Sequence, residues 1–477
     1  MRKVLSEKWL VVISVLLGAF TLILNNSMMN PALPYFEQIF HADAVSVSWI
    51  LTIFMVTMGM AMPLTGYLSE KIGKKNLFMI GLALFATGSI AGSFAWSLGS
   101  IIFFRAVQGA AGGVMIPLAM ALIFEVFPRH ERGMAMGVYG IAAMVAPTIG
   151  PTLGGFIIEN ASWRYLFLAN VPTGILGLIM CAIYMKRPAR NPDKQFDYKG
   201  FVAVTLGIGT MLFAFSRMQT VAQLTNPVNI ALVIFGLLCL VLFVWLEKHT
   251  SDPLLNLDLF RTPAFSLAVW ISSIGTIGLF ASIFLLPFLI QSVYGYSAVA
   301  TGLVLLPSAV FTGIFMNIGG RILDKKGPTA VVSIGLSISA LMMFLFFFVG
   351  LKTPLWIIVF LMALRGMGMG FTNMPANTTG MNSIPDPMVA QGSAMNNVVR
   401  RMASALGVVF ISVFFQVRKT GLVASGESVH HAAMVAINEA YLIVGILTFL
   451  TIPAGILLGI KSRQGSGKKG KVASVSS

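Results

Sequence analysis

The sequence predicts an all-α polytopic membrane protein with fourteen transmembrane helices and both termini in the cytoplasm. Three observations carry that prediction: an excess of apolar residues, their grouping into runs of membrane-spanning length, and an uneven placement of positive charge. Of the 477 residues, 57% are hydrophobic and only 10% charged, against about 25% charged in soluble domains. The mean hydropathy is +0.87. A water-soluble fold has no interior large enough to hide that surface.

Runs of about 18 or more apolar residues, enough to cross roughly 30 Å of hydrocarbon, lie in order near 9–30, 47–68, 77–95, 101–124, 134–158, 165–185, 200–216, 228–246, 264–290, 298–319, 329–350, 355–377, 394–416 and 435–460. The opening MRKVLSEKWLVV has the charged start of a signal peptide, but no small-residue cleavage site follows, so it reads as a retained first span. The formal charge of +16 raises the question of nucleic acid, and placement decides against it. Of 32 Lys and Arg, 23 fall in the N-terminus, the even-numbered loops and the C-terminal tail, and 5 in the odd-numbered loops. The other four, Arg105, Arg365, Arg400 and Arg401, fall in or at the ends of spans. This is the positive-inside pattern. Two cysteines, both in apolar runs, and five histidines without ligand spacing offer neither a disulfide framework nor a metal site.

The chain is internally duplicated. GYLSEKIG (Gly66 to Gly73), between spans 2 and 3, is echoed by GRILDKKG (Gly320 to Gly327), between spans 10 and 11, at a constant offset of 254 residues. Each loop follows the second span of a six-span half, which leaves spans 7 and 8 as an inserted pair. The expected units are a six-helix half (1–185), a linker with the inserted helices and an amphipathic segment (186–263), a second half (264–461) and a basic disordered tail (462–477).

Duplicated parallel halves are the plan of the major facilitator superfamily, and several motifs resemble that family. Gly66, Glu70, Gly73 and Lys74 resemble its signature loop, a conformational latch on the cytoplasmic side, with Asp324 as the counterpart in the second half. Glu70 stands where the family usually has Asp. Arg105-Ala-Val-Gln108-Gly109 resembles the conserved-arginine motif of span 4. Gly137, Gly140, Pro147, Gly150, Pro151, Gly154 and Gly155 in span 5 resemble the antiporter motif. Trp163-Arg164 through Asn170, Pro172 and Gly174 is similar to the entry to span 6 in fourteen-span drug:proton antiporters. The resemblance implies a secondary exporter of amphipathic small molecules, a multidrug efflux antiporter of the bacterial plasma membrane working by alternating access. It would need no cofactor, an ion gradient (protons) supplying the drive, and would work as a monomer among lipids. A lipid or lipid-linked-sugar translocase of the same fold is the alternative. No Walker-type phosphate loop occurs, and no catalytic constellation lies inside the spans.

Span 5 has glycines at close helical spacing, which admit a neighbouring backbone, and prolines that bend the rod; it is expected to seal between the halves. Arg105 lies inside span 4, where an uncompensated charge costs at least about 2.5–3.5 kcal/mol, so it is expected to face water, a partner or a substrate, with Gln108 as companion. At the outer end of span 1, LILNNSMMNPALP sets Asn25, Asn26 and Asn30 in an apolar run. Asn26 and Asn30, four apart, would share a face that lines a wet cavity or bonds to another helix. Drug exporters of this kind often carry a carboxylate at this place; here there is none. Asn373 and Asn377 form a similar amide pair in span 12, meeting substrate or a neighbouring helix. Arg365 is expected to serve packing and anchoring, and Arg400 and Arg401 to snorkel near the inner surface. With no acid at mid-depth, Glu125, Glu159 and Glu439 are the candidates for proton coupling. A cavity governed by Arg105 would favour neutral or anionic substrates over lipophilic cations.

Overall fold

The computed structural model describes residues 7–186, 191, 193–218, 220–250 and 252–473. Residues 1–6 of the basic N-terminus, 187–190 and 192 of the predicted linker, and 474–477 of the tail lie outside the described residues.

Fourteen principal helices follow one another: α1 Glu7–Met28, α2 Ala44–Ala61, α3 Lys74–Ser93, α4 Leu98–Val126, α5 Arg132–Asn160, α6 Val171–Tyr184, α7 Tyr198–Arg217, α8 Pro227–His249, α9 Pro263–Pro287, α10 Ala298–Lys326, α11 Pro328–Phe346, α12 Leu355–Asn382, α13 Val389–Ala424 and α14 Val429–Leu450. Among the described residues, thirteen segments are long and apolar enough to span a bilayer, and α2 with its continuation Leu64–Lys71, bent by 56°, makes a fourteenth if the bent pair is one span. Pro63 sits at that bend, where a missing N–H and the ring's bulk break the hydrogen-bond ladder. The expected disordered tail is instead helical, Ile452–Ala473.

Helix starts are written in side chains: Asp43, Ser97, Asp197, Asn226, Ser297 and Ser428 each accept a bond from a backbone N–H of the first turn. The repeat shows in the backbone itself. Gly73 at φ 87° and Gly327 at φ 81° both precede a helix in a conformation that L side chains avoid.

Within the N-terminal half, α4 packs on α2 and α3, and α1 on α5 and α6; in the C-terminal half, α12 packs on α10 and α11, and α13 on α9 and α14. The halves meet mainly along α5 and α10. The inserted α7 packs against α2 of one half and α13 of the other, and α8 packs on α7 from outside, with Ile234, Leu238 and Trp245 exposed. Leu254, Leu255 and Leu259 of the following segment are buried.

Close approach of α2 and α4 depends on missing side chains. A Cβ on Gly109 would collide with the Phe54 carbonyl and Thr57, and one on Gly113 with the Met58 carbonyl. Gly109→Ala and Gly113→Ala are each expected to cost about 1–3 kcal/mol, read as a lowered melting temperature of the purified protein. Gly155→Ala, where an added Cβ meets nothing, should leave it unchanged.

Candidate functional site

The asparagines of the first span are explained by Arg105. Its guanidinium is fully buried and every nitrogen finds an oxygen. Nε donates to the Ile50 carbonyl at 3.1 Å, Nη1 to Asn25 Oδ1 at 2.7 Å and Gln108 Oε1 at 3.1 Å, and Nη2 to Asn26 Oδ1 at 2.8 Å. The Phe54 ring lies 4.1 Å away, a cation–π contact. The network continues outward: Asn25 Nδ2 donates to the Leu166 carbonyl and Gln108 Nε2 to Ser89 Oγ at 2.8 Å. Four helices and the turn before α6 are tied to one cation. Oxygen dipoles, with no carboxylate, compensate the charge.

This placement corrects two expectations and decides a third between its two alternatives. Arg105 does not govern an open cavity; it is enclosed in the N-terminal half together with Asn25 and Gln108. Asn26 and Asn30 do not share a helical face, because α1 ends at Met28 and Asn30 opens a 3₁₀ turn, exposed. Asn377 is buried and accepts from Asn396 Nδ2 at 2.8 Å, an α12–α13 bond rather than a surface open to a substrate. Asn373 differs: it is half-buried and its Oδ1 has no partner.

The arginines expected near the inner surface lie well along α13, not at its start. Because α13 starts at Val389, Arg400 and Arg401 come eleven and twelve residues along it, about 17 Å from its inner end. Arg400 Nε donates to Thr276 Oγ1 of α9 at 3.1 Å, and Arg401 Nη2 reaches Met58 Sδ of α2 at 3.2 Å. Tyr139 of α5 lies within electrostatic reach of Arg400. Two half-buried cations thus stand at mid-depth on the seam between the halves, with no ion-pair partner among the described residues. The polar first turns of α13, VAQGSAMNN, hid this from hydropathy; Asp386-Pro387 just before Val389 is the helix-start signal that places it.

Below these cations the halves are latched, and the latch follows the repeat. Glu70 accepts from Gln391 of α13 at 2.7 Å and also holds Lys194 of the linker. A Cβ on Gly66 would collide with Gln391. In the second half, Asp324 accepts from the backbone N–H groups of Gly133 and Met134 at 2.9 and 2.8 Å, at the start of α5, where the helix dipole favours an anion. Gly320 and Gly133 touch backbone to backbone. Each repeated loop therefore grips the first turn of a helix from the other half. Sequence reasoning missed a third element. Buried Arg132 donates to Asn382 at 3.0 Å and Asp386 at 3.1 Å across the seam, and to the carbonyls of Phe124 and Phe127. Lys74 stays within its own half, paired with Glu125 at 3.1 Å.

The antiporter-motif helix serves two partners. Gly137 and Gly140 admit Met316 and Asn317 of α10 across the seam, whereas Gly150 and Gly154 admit Ser27 and Met28 of α1 in the same half. Only the inner part of α5 seals between the halves. Pro147 and Pro151 lie on an exposed face of a helix continuous to Asn160. Outward from Gly140 the seam loosens: a Cβ on Gly313 would reach Ile141 only at 3.9 Å, and one on Gly302 would meet nothing.

The family model for the Major Facilitator Superfamily matches residues 15–408. The chain belongs to the Major Facilitator Superfamily. It is similar to the MFS-type transporter YcnB of Bacillus subtilis (strain 168), 32% identical over 92% of this chain and 93% of that protein. It is also similar to the lincomycin resistance protein LmrB of the same organism, 30% identical over 83% of each. Among solved structures, the human organic anion transporter MFSD10 shares the fold at a TM-score of 0.66, with 14% identity over 93% of this chain and 99% of that one. A Major Facilitator Superfamily member with such relatives is a multi-pass membrane transporter, not an enzyme.

The three carboxylates considered for proton coupling are unlike one another in this transporter. Glu125 is exposed at the inner end, Glu159 is exposed on α5, and Glu439, ten residues into α14, is bound through both oxygens to Arg418 at 2.6 and 2.7 Å. Among the described residues the buried acid is Glu247 of α8, whose Oε2 has no partner.

Proposed function

We propose that this protein is a secondary active exporter of small amphipathic molecules, multidrug efflux in character, that works by alternating access in the plasma membrane. The observation that carries the reading is the asymmetry of the seam. Among the described residues, the side-chain bonds that join the halves run from the Glu70, Asp324 and Arg132 latches up to Arg401 and Met58, and stop there. Closure at the cytoplasmic end, with parting beyond mid-depth, supports the reading of this arrangement as one end-state of a rocking pair, open to the outside. The relatives named for lincomycin and multidrug resistance support the export of drug-like compounds. Protons are the natural driving ion for such an exchange, and the transporter needs no bound cofactor.

The cargo favoured is neutral or anionic, and the residues that favour it are Arg400 and Arg401 rather than Arg105. Unpaired guanidinium groups at the centre of the seam repel lipophilic cations and attract carboxylates or sulfonates. Proteoliposomes loaded with a fluorescent substrate and given a pH gradient test this. Arg400→Gln with Arg401→Gln is expected to slow export of anionic compounds by roughly tenfold or more, one charged hydrogen bond being worth about 1.5–3 kcal/mol, and to spare neutral ones. Faster export of cations than of anions by the unaltered protein would overturn the charge preference, and absence of any gradient-driven flux would overturn the exporter itself.

A further inference from the structure

Arg105 and Arg365 occupy comparable places, each in the outer part of the fourth helix of its half, yet they are treated in opposite ways. Arg105 is given an oxygen for every nitrogen. Arg365 is nearly as enclosed, 4% exposed, but among the described residues its Nε and Nη1 have no hydrogen-bond partner. What it has instead is space. A cavity of about 20 Å³ lies among α9, α11, α12 and α14, with Arg365, Asn373 and Ser339 on its wall. That volume holds one particle of about a water's size.

We propose that this cavity is a binding site for a single small monovalent anion, a halide such as chloride, held as the counter-ion of Arg365 inside the C-terminal half. The surrounding charges require one. Helices α9 and α11 carry no ionisable acid or base in their sequences, and Arg365 is the one charged residue of α12. On α14 the one carboxylate, Glu439, is already bound to Arg418. A buried guanidinium with neither a carboxylate nor a shell of oxygens is the costly arrangement that proteins avoid. A water would accept its hydrogen bonds but leave the charge in place; an anion answers both. The remaining wall groups suit an anion. Asn373 Oδ1 has no partner, so its amide is free to turn and present Nδ2, and the Ser339 hydroxyl can donate. Tyr441, outside the cavity wall, lies within electrostatic reach of Arg365. The small enclosed part of the space suits a monatomic ion. The site does not depend on what the transporter carries.

The test uses the full-length protein in detergent, with chloride, bromide or gluconate at constant ionic strength. Chloride and bromide are expected to raise the melting temperature saturably, by about 3 °C or more at concentrations far above the dissociation constant, and gluconate is not. Arg365→Met should lose that response. Crystals grown in bromide should show an anomalous scattering peak against the Arg365 guanidinium. An equal response to gluconate, a retained halide response in Arg365→Met, or water without bromide at that position would overturn the proposal. Should Arg365→Met fail to fold, the bromide position in the unaltered protein decides alone.

Discussion

Replacing Arg105 with Ala is expected to destabilise the N-terminal half by about 3–5 kcal/mol, the cost of removing one partner from a buried charged network. Four acceptors would lose their donor at once: the Ile50 carbonyl, Asn25, Asn26 and Gln108. With the amides left facing an empty space, α1, α2 and α4 lose their shared anchor. The result should be seen as loss of protein from the membrane and a lowered melting temperature, with transport of every substrate class falling together. Arg105→Lys should rescue little, because one ammonium cannot reach acceptors arranged around a planar fork. If Arg105→Ala kept its full melting temperature and lost only anion export, the guanidinium would belong to the substrate and not to the scaffold.

The second large effect is expected at the latch. Asp324→Ala removes two charge-assisted bonds to the start of α5, and Arg132→Ala removes the bonds to Asn382 and Asp386. In the proposed rocking cycle these contacts exist only while the cytoplasmic end is closed, so their loss is expected to act on the balance between end-states. If Asp324→Ala removes about 3 kcal/mol of differential stabilisation, the ratio of outward-open to inward-open forms falls roughly 150-fold. Gly155→Cys, placed where the added side chain meets nothing, reports this in a background with Cys181 and Cys239 replaced. A membrane-impermeant thiol reagent applied from outside should label it quickly in the parent and slowly with Asp324→Ala. Equal labelling would mean that the latch does not set the conformation.

The spans and their order were legible in the sequence because a bilayer imposes a length and a polarity on each helix separately. The duplication was legible too, since Gly73 and Gly327 serve a backbone conformation that a local motif must encode. What failed was whatever depended on a neighbour. Nothing near Arg105 in sequence announces that Asn25 and Asn26, some eighty residues away, supply its oxygens. The depth of Arg400 and Arg401 was lost because polar first turns make α13 look shorter than it is. The two-sidedness of α5 was hidden because glycine spacing reports that something approaches, not which helix does so. Arg365, passed over as an anchor, proved to be a buried cation whose Nε and Nη1 have no hydrogen-bond partner among the described residues.

The inserted pair makes the perimeter of the molecule unequal. On one flank α7 bridges α2 and α13, and α8 thickens that wall; on the other, α5 and α10 face each other without a further layer. A hydrophobic compound wandering in the lipid leaflet therefore finds one side screened by two additional rods and the opposite side bare. Of the two flanks, the α5–α10 side therefore presents the thinner wall to the lipid and the α2–α13 side the thicker.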